Sequence, residues 1–398
     1  MSNDDLDLFD PHTDRRQPVR RPKKRKKRRT VLWVSMGVLL VLIAGGGYYG
    51  IRQIVDIGSY DDFSGAGESD VVIRVKKGDS TGDIASTLVD AGVVASSSAF
   101  VAASETDGRV RQVQPGYYVM KTKSSGEAAV GQIVTPEARV GNLQIKPGTQ
   151  LHDITKTDGG VIPGVVSLIA TASCAELNGE KTCVEAKQLW ATAEKGDLAK
   201  LGVPDWAQGP ASRATPQRRL EGLVMPGVYD VRPGATADEL WKELVTDSAT
   251  RMQAVGMPNV AEETGFTPYQ VLVMASLIER EAIEKDFGKI SRVTYNRLIE
   301  SMPLQYDSTV NYVLDRPTIR TDSSERAKPG PYNSYLNTGL VPTPISSPSE
   351  NALKAAVTPE KGEWLYFVRC QTDGSSCFAA THDEHRQNVR EAEARGAY

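Results

Sequence analysis

Residues 268–286 read PYQVLVMASLIEREAIEKD, an apolar run that ends by meeting Glu279. Read as a helix, the run places Ala275 and Ser276 one turn behind Glu279 and Ala282 and Ile283 one turn ahead. On so small and apolar a face a carboxyl is partly desolvated, which disfavours its charged form and raises its pKa toward the range a general acid needs. Glu281 and Glu284 read as solvated, because Glu281 has Glu284 and Lys285 ahead of it and Glu284 has Arg280 behind it. Helical spacing alone equally allows Glu279 to be the first residue of a charged helix end. Both readings stand at this point.

Around this run the chain has ordinary globular composition, with 398 residues of which 40% are hydrophobic and 24% charged, enough for two or three domains. The net charge of -3 conceals a split, since residues 1–30 hold eleven Lys and Arg against five Asp and the remainder is acidic. The basic run RRPKKRKKRRT at 20–30 leads straight into VLWVSMGVLLVLIAGGGYYGI at 31–51, which carries no charge. At a rise of about 1.5 Å per residue that stretch makes a helix of about 31 Å, enough to cross a bilayer core. A basic N-terminal flank holds its side in the cytoplasm and places residues 52–398 outside, making them extracytoplasmic. A cleaved signal peptide is the competing reading, with AGGG at 44–47 as the small residues. The apolar stretch continues through Tyr48, Tyr49 and Ile51 and is long for a signal core. A basic run can also bind nucleic acid. Here it adjoins a span, so a topogenic, lipid-facing role explains it and no nucleic-acid partner is expected.

Cys174 and Cys183 bracket AELNGEKT, and Cys370 and Cys377 bracket QTDGSS, so each pair closes a short polar loop. Two local disulfides are expected in an extracytoplasmic chain, although four cysteines allow three connectivities. The second pair follows the strand-like WLYFVR and is expected to staple a hairpin. Zinc is the alternative, with His382 and His385 the only histidines nearby. Neither spacing is that of a paired-cysteine zinc site, and no metal is expected.

Residues 52–69 read as a polar linker. A short pattern then recurs as VKKGDSTGDI at 75–84, IKPGTQLHDI at 145–154 and VRPGATADEL at 231–240. Each copy reads as a strand, a glycine turn and a capped helix start, with Ser80, Thr149 and Thr236 as N-caps and Glu239 completing a capping box with Thr236. Helices are expected at 81–91, 236–246, 267–283 and 381–394, and strands at 71–76 and 364–369. The proline-rich stretch 327–348 is expected to lack regular structure and to form a groove wall. The fold class is α+β.

The first copy, with its continuation ASTLVDAGVV, resembles the sugar-binding LysM module. From residue 220 onward EGLVMPGVY (221–229), ASLIEREA (275–282), YNRL (295–298), MPLQYDSTVNY (302–312), PYNSYLNTGLVPTPISSPS (331–349), LYFV (365–368) and FAATHDEH (378–385) follow one another as in the membrane-anchored endolytic murein transglycosylases, which the chain resembles over nearly its whole length. The resemblance implies a cytoplasmic tail at 1–30, a transmembrane helix at 31–51, a linker at 52–69, a LysM-like βααβ module at 70–145 and a mixed α/β catalytic domain at 146–398. It also implies cleavage of the β-1,4 bond between N-acetylmuramic acid and N-acetylglucosamine in peptidoglycan without added water.

In that chemistry one carboxylic acid protonates the leaving oxygen, the sugar's own acetamido group stabilises the cationic centre, and the carboxylate then takes the C6 hydroxyl proton to close a 1,6-anhydro ring. A glycosidase that uses water or a nucleophile needs two carboxylates from the protein; here one suffices, and no cofactor is called for. The resemblance puts the acid/base at Glu279 and makes Glu281 a supporting residue paired with Arg280, Arg297 or another base. Asn296, Gln305, Asp307, Tyr332, Asn333 and Tyr335 become substrate contacts, although Asn and Asp also build turns and aromatics fill cores. Implied partners are peptidoglycan glycan strands, the cytoplasmic membrane and wall synthases of the penicillin-binding type. The chain departs from the family at Gly227-Val228, where Asp-Thr is usual, at Val341, where a second proline is usual, and at Ser376, where a histidine is usual.

Two other classes stay open. One is an anchored glycan-binding protein without catalysis, and the other is a conventional glycosidase with Asp307 as its second carboxylate.

Overall fold

In a computed structural model, the structure describes residues 60–314 and 321–397. The expected tail, span and residues 52–59 of the linker lie outside them. No helix among the described residues is long and apolar enough to cross a membrane. From Asp61 onward the chain forms one compact unit built around two large hydrophobic cores, with a small third cluster at Val368, Cys370 and Ala392.

The first core lies under a small antiparallel sheet. Strand Asp70–Val75 pairs with Gly116–Lys121 in the register Val72 to Val119, and the latter pairs with Arg139–Val140. Helices Thr81–Asp90 and Ser97–Ser104 connect the first two strands, and helix Gly126–Ile133 follows the second. Ser80 caps the first helix, closing a box with Asp83, after Gly78 has turned the chain at φ +92°. The expected strand, two helices and strand are present in that order; the third helix and third strand were not foreseen.

The second core is helical. Helix Ala237–Ala254 begins at the predicted Thr236 and Glu239 box and runs eight residues past its expected end. Trp241, wholly buried, donates its indole N–H to the Leu189 carbonyl at 2.9 Å. The middle copy of the repeat behaves differently. Thr149 caps no helix, because Gly148 and Thr149 exchange backbone hydrogen bonds with Ser347 and the chain is drawn sideways against residues 344–349. Strand Asn142–Ile145 pairs instead with Gly227–Asp230. At Gly227, a departure from the family pattern, a side chain would collide with the Arg251 guanidinium, which bonds the Pro226 carbonyl.

Helix Pro268–Glu281 sits at the centre of this core. Thr267 caps it, Gln270 completes the capping box, and Pro268 takes the first turn, where its missing N–H costs nothing. Residues 271–278 are buried without interruption, so the helix is apolar on every side, as a helix enclosed by others must be. It packs on helices Phe287–Ile299 and Glu350–Val357. The hairpin Tyr366–Arg369 with Ser376–Ala379 and the helix His382–Ala394 close the chain. Both expected disulfides, Cys174–Cys183 and Cys370–Cys377, are formed. Residues 327–348 contain no helix or named strand, as the prolines require.

Candidate active site

Glu279 lies in the last turn of the central helix, half-buried where the enclosed run ends. Its Oε2 accepts the backbone N–H of Ser349 at 2.9 Å. Ser349 belongs to a loop that the same helix holds one turn earlier, where Ser276 Oγ accepts the Ile345 N–H at 3.0 Å. The loop therefore has two points of attachment on one helix face, and the second is the candidate acid.

Glu281 corrects the sequence reading. It was expected to be solvated and paired with a base, but it makes no ion pair among the described residues. Its Oε1 accepts the backbone N–H of Ser308 at 3.2 Å and the Ser308 hydroxyl in a short bond. Although Glu281 as a whole is only half-buried, dense surroundings desolvate its carboxyl and push its pKa up to about 7 against the pull of Ser308, with Asp307 adding to the rise. Arg297 is spent elsewhere, donating to the carbonyls of Leu365 and Leu304 at 2.6 Å each. Residues two apart on a helix point to different sides, so Glu279 and Glu281 meet different neighbours.

Asp307 opens the short helix Asp307–Asn311 and is fully occupied. Thr321 donates its hydroxyl to it, Tyr335 donates its hydroxyl at 2.7 Å, and Arg326 pairs with it at 3.2 Å. Burial pushes this carboxyl up, but those donors outweigh burial and hold it below its ordinary value. Gln305 is exposed and carries a left-handed backbone at φ +56°, which a non-glycine residue adopts only when its surroundings impose it. The imposing contacts are its own N–H to the Ser334 carbonyl at 3.0 Å and the next residue's N–H to Ser334 Oγ at 2.9 Å.

The structure thus brings Glu281, through its bonds to Ser308, next to Asp307, which Tyr335 holds by a hydrogen bond, with Gln305 beside them in the chain. The other expected contacts have their polar atoms engaged inside the protein. Asn333 donates to the carbonyls of Arg326 and Lys328 and accepts from the N–H groups of Tyr335 and Leu336. Tyr332 is buried with its hydroxyl on Thr343 at 2.7 Å. Asn296 faces the hairpin entrance and donates to the carbonyls of Gly362 and Trp364. At the hairpin, Ser376 stands where the family usually has histidine, and its N–H donates to Asp286 at 2.7 Å.

A YceG-like family model matches residues 73–391. The chain belongs to the YceG-like family. Among relatives of this YceG-like chain, one from Streptococcus pneumoniae D39, named endolytic murein transglycosylase, is 27% identical over 371 residues, covering 90% of this chain and 64% of the relative. The chain therefore spans less than two thirds of that relative's length. A Bacillus subtilis 168 protein of the same name is 28% identical over 351 residues, covering 87% of this chain and 90% of its own. A crystal structure of a yceG-like protein from Listeria monocytogenes aligns with a TM-score of 0.53 at 23% identity, over 80% of this chain and 98% of that one. It shares the fold.

Sequence reasoning passed over four residues of this YceG-like site: Ser308, Arg326, Ser349 and Glu221. Ser349 acts through its backbone N–H, and Ser308 through both its backbone N–H and its hydroxyl, bonds between distant elements that no local pattern advertises. Glu221 had a usable signal, an acid enclosed by Leu220, Leu223 and Val224, and it is only 1% exposed.

Proposed function

We propose that the chain is a membrane-anchored endolytic lytic transglycosylase that cleaves the β-1,4 bond between N-acetylmuramic acid and N-acetylglucosamine and leaves 1,6-anhydromuramyl ends. The observation that carries the reading is the contrast between two carboxylates. Glu279 is half-buried with one oxygen held by Ser349 and the other without a hydrogen bond among the described residues, whereas Asp307 is saturated by Thr321, Tyr335 and Arg326. Of these two, only Glu279 has an oxygen open, which suits chemistry in which the substrate supplies its own nucleophile, and a saturated Asp307 disfavours its use as the second carboxylate of a hydrolase.

Glu279 gives its proton to the leaving glycosidic oxygen as the C1–O bond breaks, and the sugar's acetamido group stabilises C1. The resulting carboxylate then removes the C6 hydroxyl proton, and the C6 oxygen closes on C1. The acid is regenerated. Glu281 supports this carboxyl from the other side of the helix end, Gln305 and Tyr335 offer substrate contacts, and the chain of Asn333, Tyr332 and Asn296 bonds holds the frame. The strand–helix–helix–strand order at 70–121 supports a LysM-like glycan-binding module. The uncharged stretch 31–51 supports a single span with the N-terminus cytoplasmic, which an export-dependent reporter fused after Ser69 tests. Association with penicillin-binding wall synthases is tested by co-purification from membranes.

Digestion of purified peptidoglycan by the full-length protein decides the activity. Anhydromuramyl products, about 18 Da or one water lighter than hydrolysis products, are expected. Reducing muramyl ends would show a hydrolase, and no cleavage would leave a glycan-binding protein.

A further inference from the structure

We propose that Glu221 is a positioning residue whose buried carboxylate clamps together the two segments that deliver hydrogen bonds to Glu279 and Glu281. The inference rests on the transglycosylase reading above and goes beyond it to a residue far from the bond that breaks.

Glu221 is 1% exposed and forms no ion pair among the described residues. Its oxygens accept the Leu151 N–H at 3.1 and 3.3 Å and the Tyr312 hydroxyl at 2.9 Å. The groups that face it are Arg218, whose guanidinium lies 4.7 Å from the ring centres of both Tyr312 and Tyr332, and the Tyr269 phenol, which is buried without a hydrogen-bond partner. Burial pushes the Glu221 pKa up to about 7, opposed by Tyr312 and Leu151. A carboxyl in such a place is costly to bury, so a role in packing alone is better served by an apolar side chain.

The two bonds lead to the two acids. Two residues before Leu151, Thr149 accepts the Ser347 N–H at 2.7 Å, and Gly148 donates to the Ser347 carbonyl at 2.9 Å. Two residues after Ser347, Ser349 donates to Glu279. On the other arm, Tyr312 donates its own N–H to the Ser308 carbonyl at 3.0 Å, and Ser308 bonds Glu281. The neighbouring Gly222 strengthens the case. It is left-handed at φ +73°, and a Cβ there would lie 2.4 Å from Pro344, so the Glu221 segment abuts the same loop that carries Ser349.

A glutamine at 221 keeps the shape but sets an amide N–H against the Leu151 N–H, which cannot accept it, or against Tyr312, whose hydroxyl must then turn its proton away and accept, so one arm is lost or weakened. A loop displaced by an ångström suffices to cost about 10²-fold in rate. The test compares full-length wild type, Glu221→Gln, Tyr312→Phe and the double variant on purified glycan strands, well below each melting temperature. We expect kcat to fall roughly 10–100-fold in each single variant, KM to stay within about threefold, and the double variant to be no worse than the weaker single. Loss of folded protein with unchanged kcat per folded molecule would overturn the inference, since that is what a merely structural role produces. If Glu221→Gln fails to fold, Tyr312→Phe, which removes one hydroxyl from the same clamp, decides alone. A wild type that cleaves beside variants of equal kcat sinks the positioning role only; a wild type that cleaves nothing sinks the transglycosylase reading and this inference with it.

Discussion

Ser349 donates its backbone N–H to Glu279 at 2.9 Å from a loop that is itself hung on Ser276, one turn back on the same helix. The carboxyl is thereby oriented by backbone of the C-terminal region, and its second oxygen makes no hydrogen bond among the described residues. Replacing Glu279 by Gln preserves an oxygen for Ser349 while removing the proton to be donated. Cleavage is expected to fall by about 10²–10⁴-fold with an unchanged melting temperature. Product release by the variant at the wild-type rate would remove Glu279 from the mechanism.

Glu281 makes stability depend on pH. Its folded pKa, about 7, lies above the ordinary 4.5, so the folded chain binds more protons than the unfolded chain between those values. The contribution is present below the unfolded pKa and is lost as pH rises through the folded one. Glu281→Gln cannot titrate, so its stability relative to wild type should rise from pH 5 to pH 7.5 in urea unfolding. His152 and His385, whose pKa values burial lowers, work in the opposite sense in both proteins and cancel in the difference. A flat difference would contradict the desolvated carboxyl.

Tyr335→Phe removes one of the donors that hold Asp307 down. The Asp307 titration, followed by carboxyl NMR, should move upward, and stability at pH 7 should fall by about 1–3 kcal/mol, the range for a hydrogen bond to a charged group. An unmoved Asp307 would mean that Thr321 and Arg326 suffice.

Each disulfide closes a short loop, of sequence separation 9 and 7. Non-reducing peptide mapping should find Cys174 with Cys183 and Cys370 with Cys377. Replacing either pair by Ser should cost roughly 2–3 kcal/mol in the chain-entropy account while leaving kcat near wild type. A crossed pairing would refute the local loops.

Much of this was legible in the residues. The central helix announced itself by an unbroken apolar run, the N-cap at Ser80 by its place after the glycine turn, and the capping box at Thr236 by its spacing to Glu239. Thr149 misled because its copy of the pattern is locally equivalent to the others, and what diverts it is a pair of backbone bonds to Ser347, nearly two hundred residues away. Glu281 misled for a related reason. Helical neighbours report only one side of a residue, and the contact that encloses its carboxyl comes from Ser308 on another element. The family resemblance pointed to Glu279 as the acid; it carried no sign that the fold would desolvate the Glu281 carboxyl.

The pairing of Gly148 and Thr149 with Ser347 also fixes when the site can exist. A ribosome makes the chain from the N-terminus, so the central helix is complete long before the loop that orients Glu279 has been made. Until residue 349 and the helix Glu350–Val357 behind it have joined the core, Glu279 has no Ser349 to hold it, although Glu221 and both its partners, Leu151 and Tyr312, are already made. On the proposed reading, cutting competence is thus among the last properties the growing chain acquires, and a fragment ending near residue 340 should carry Glu279 and yet leave glycan strands intact.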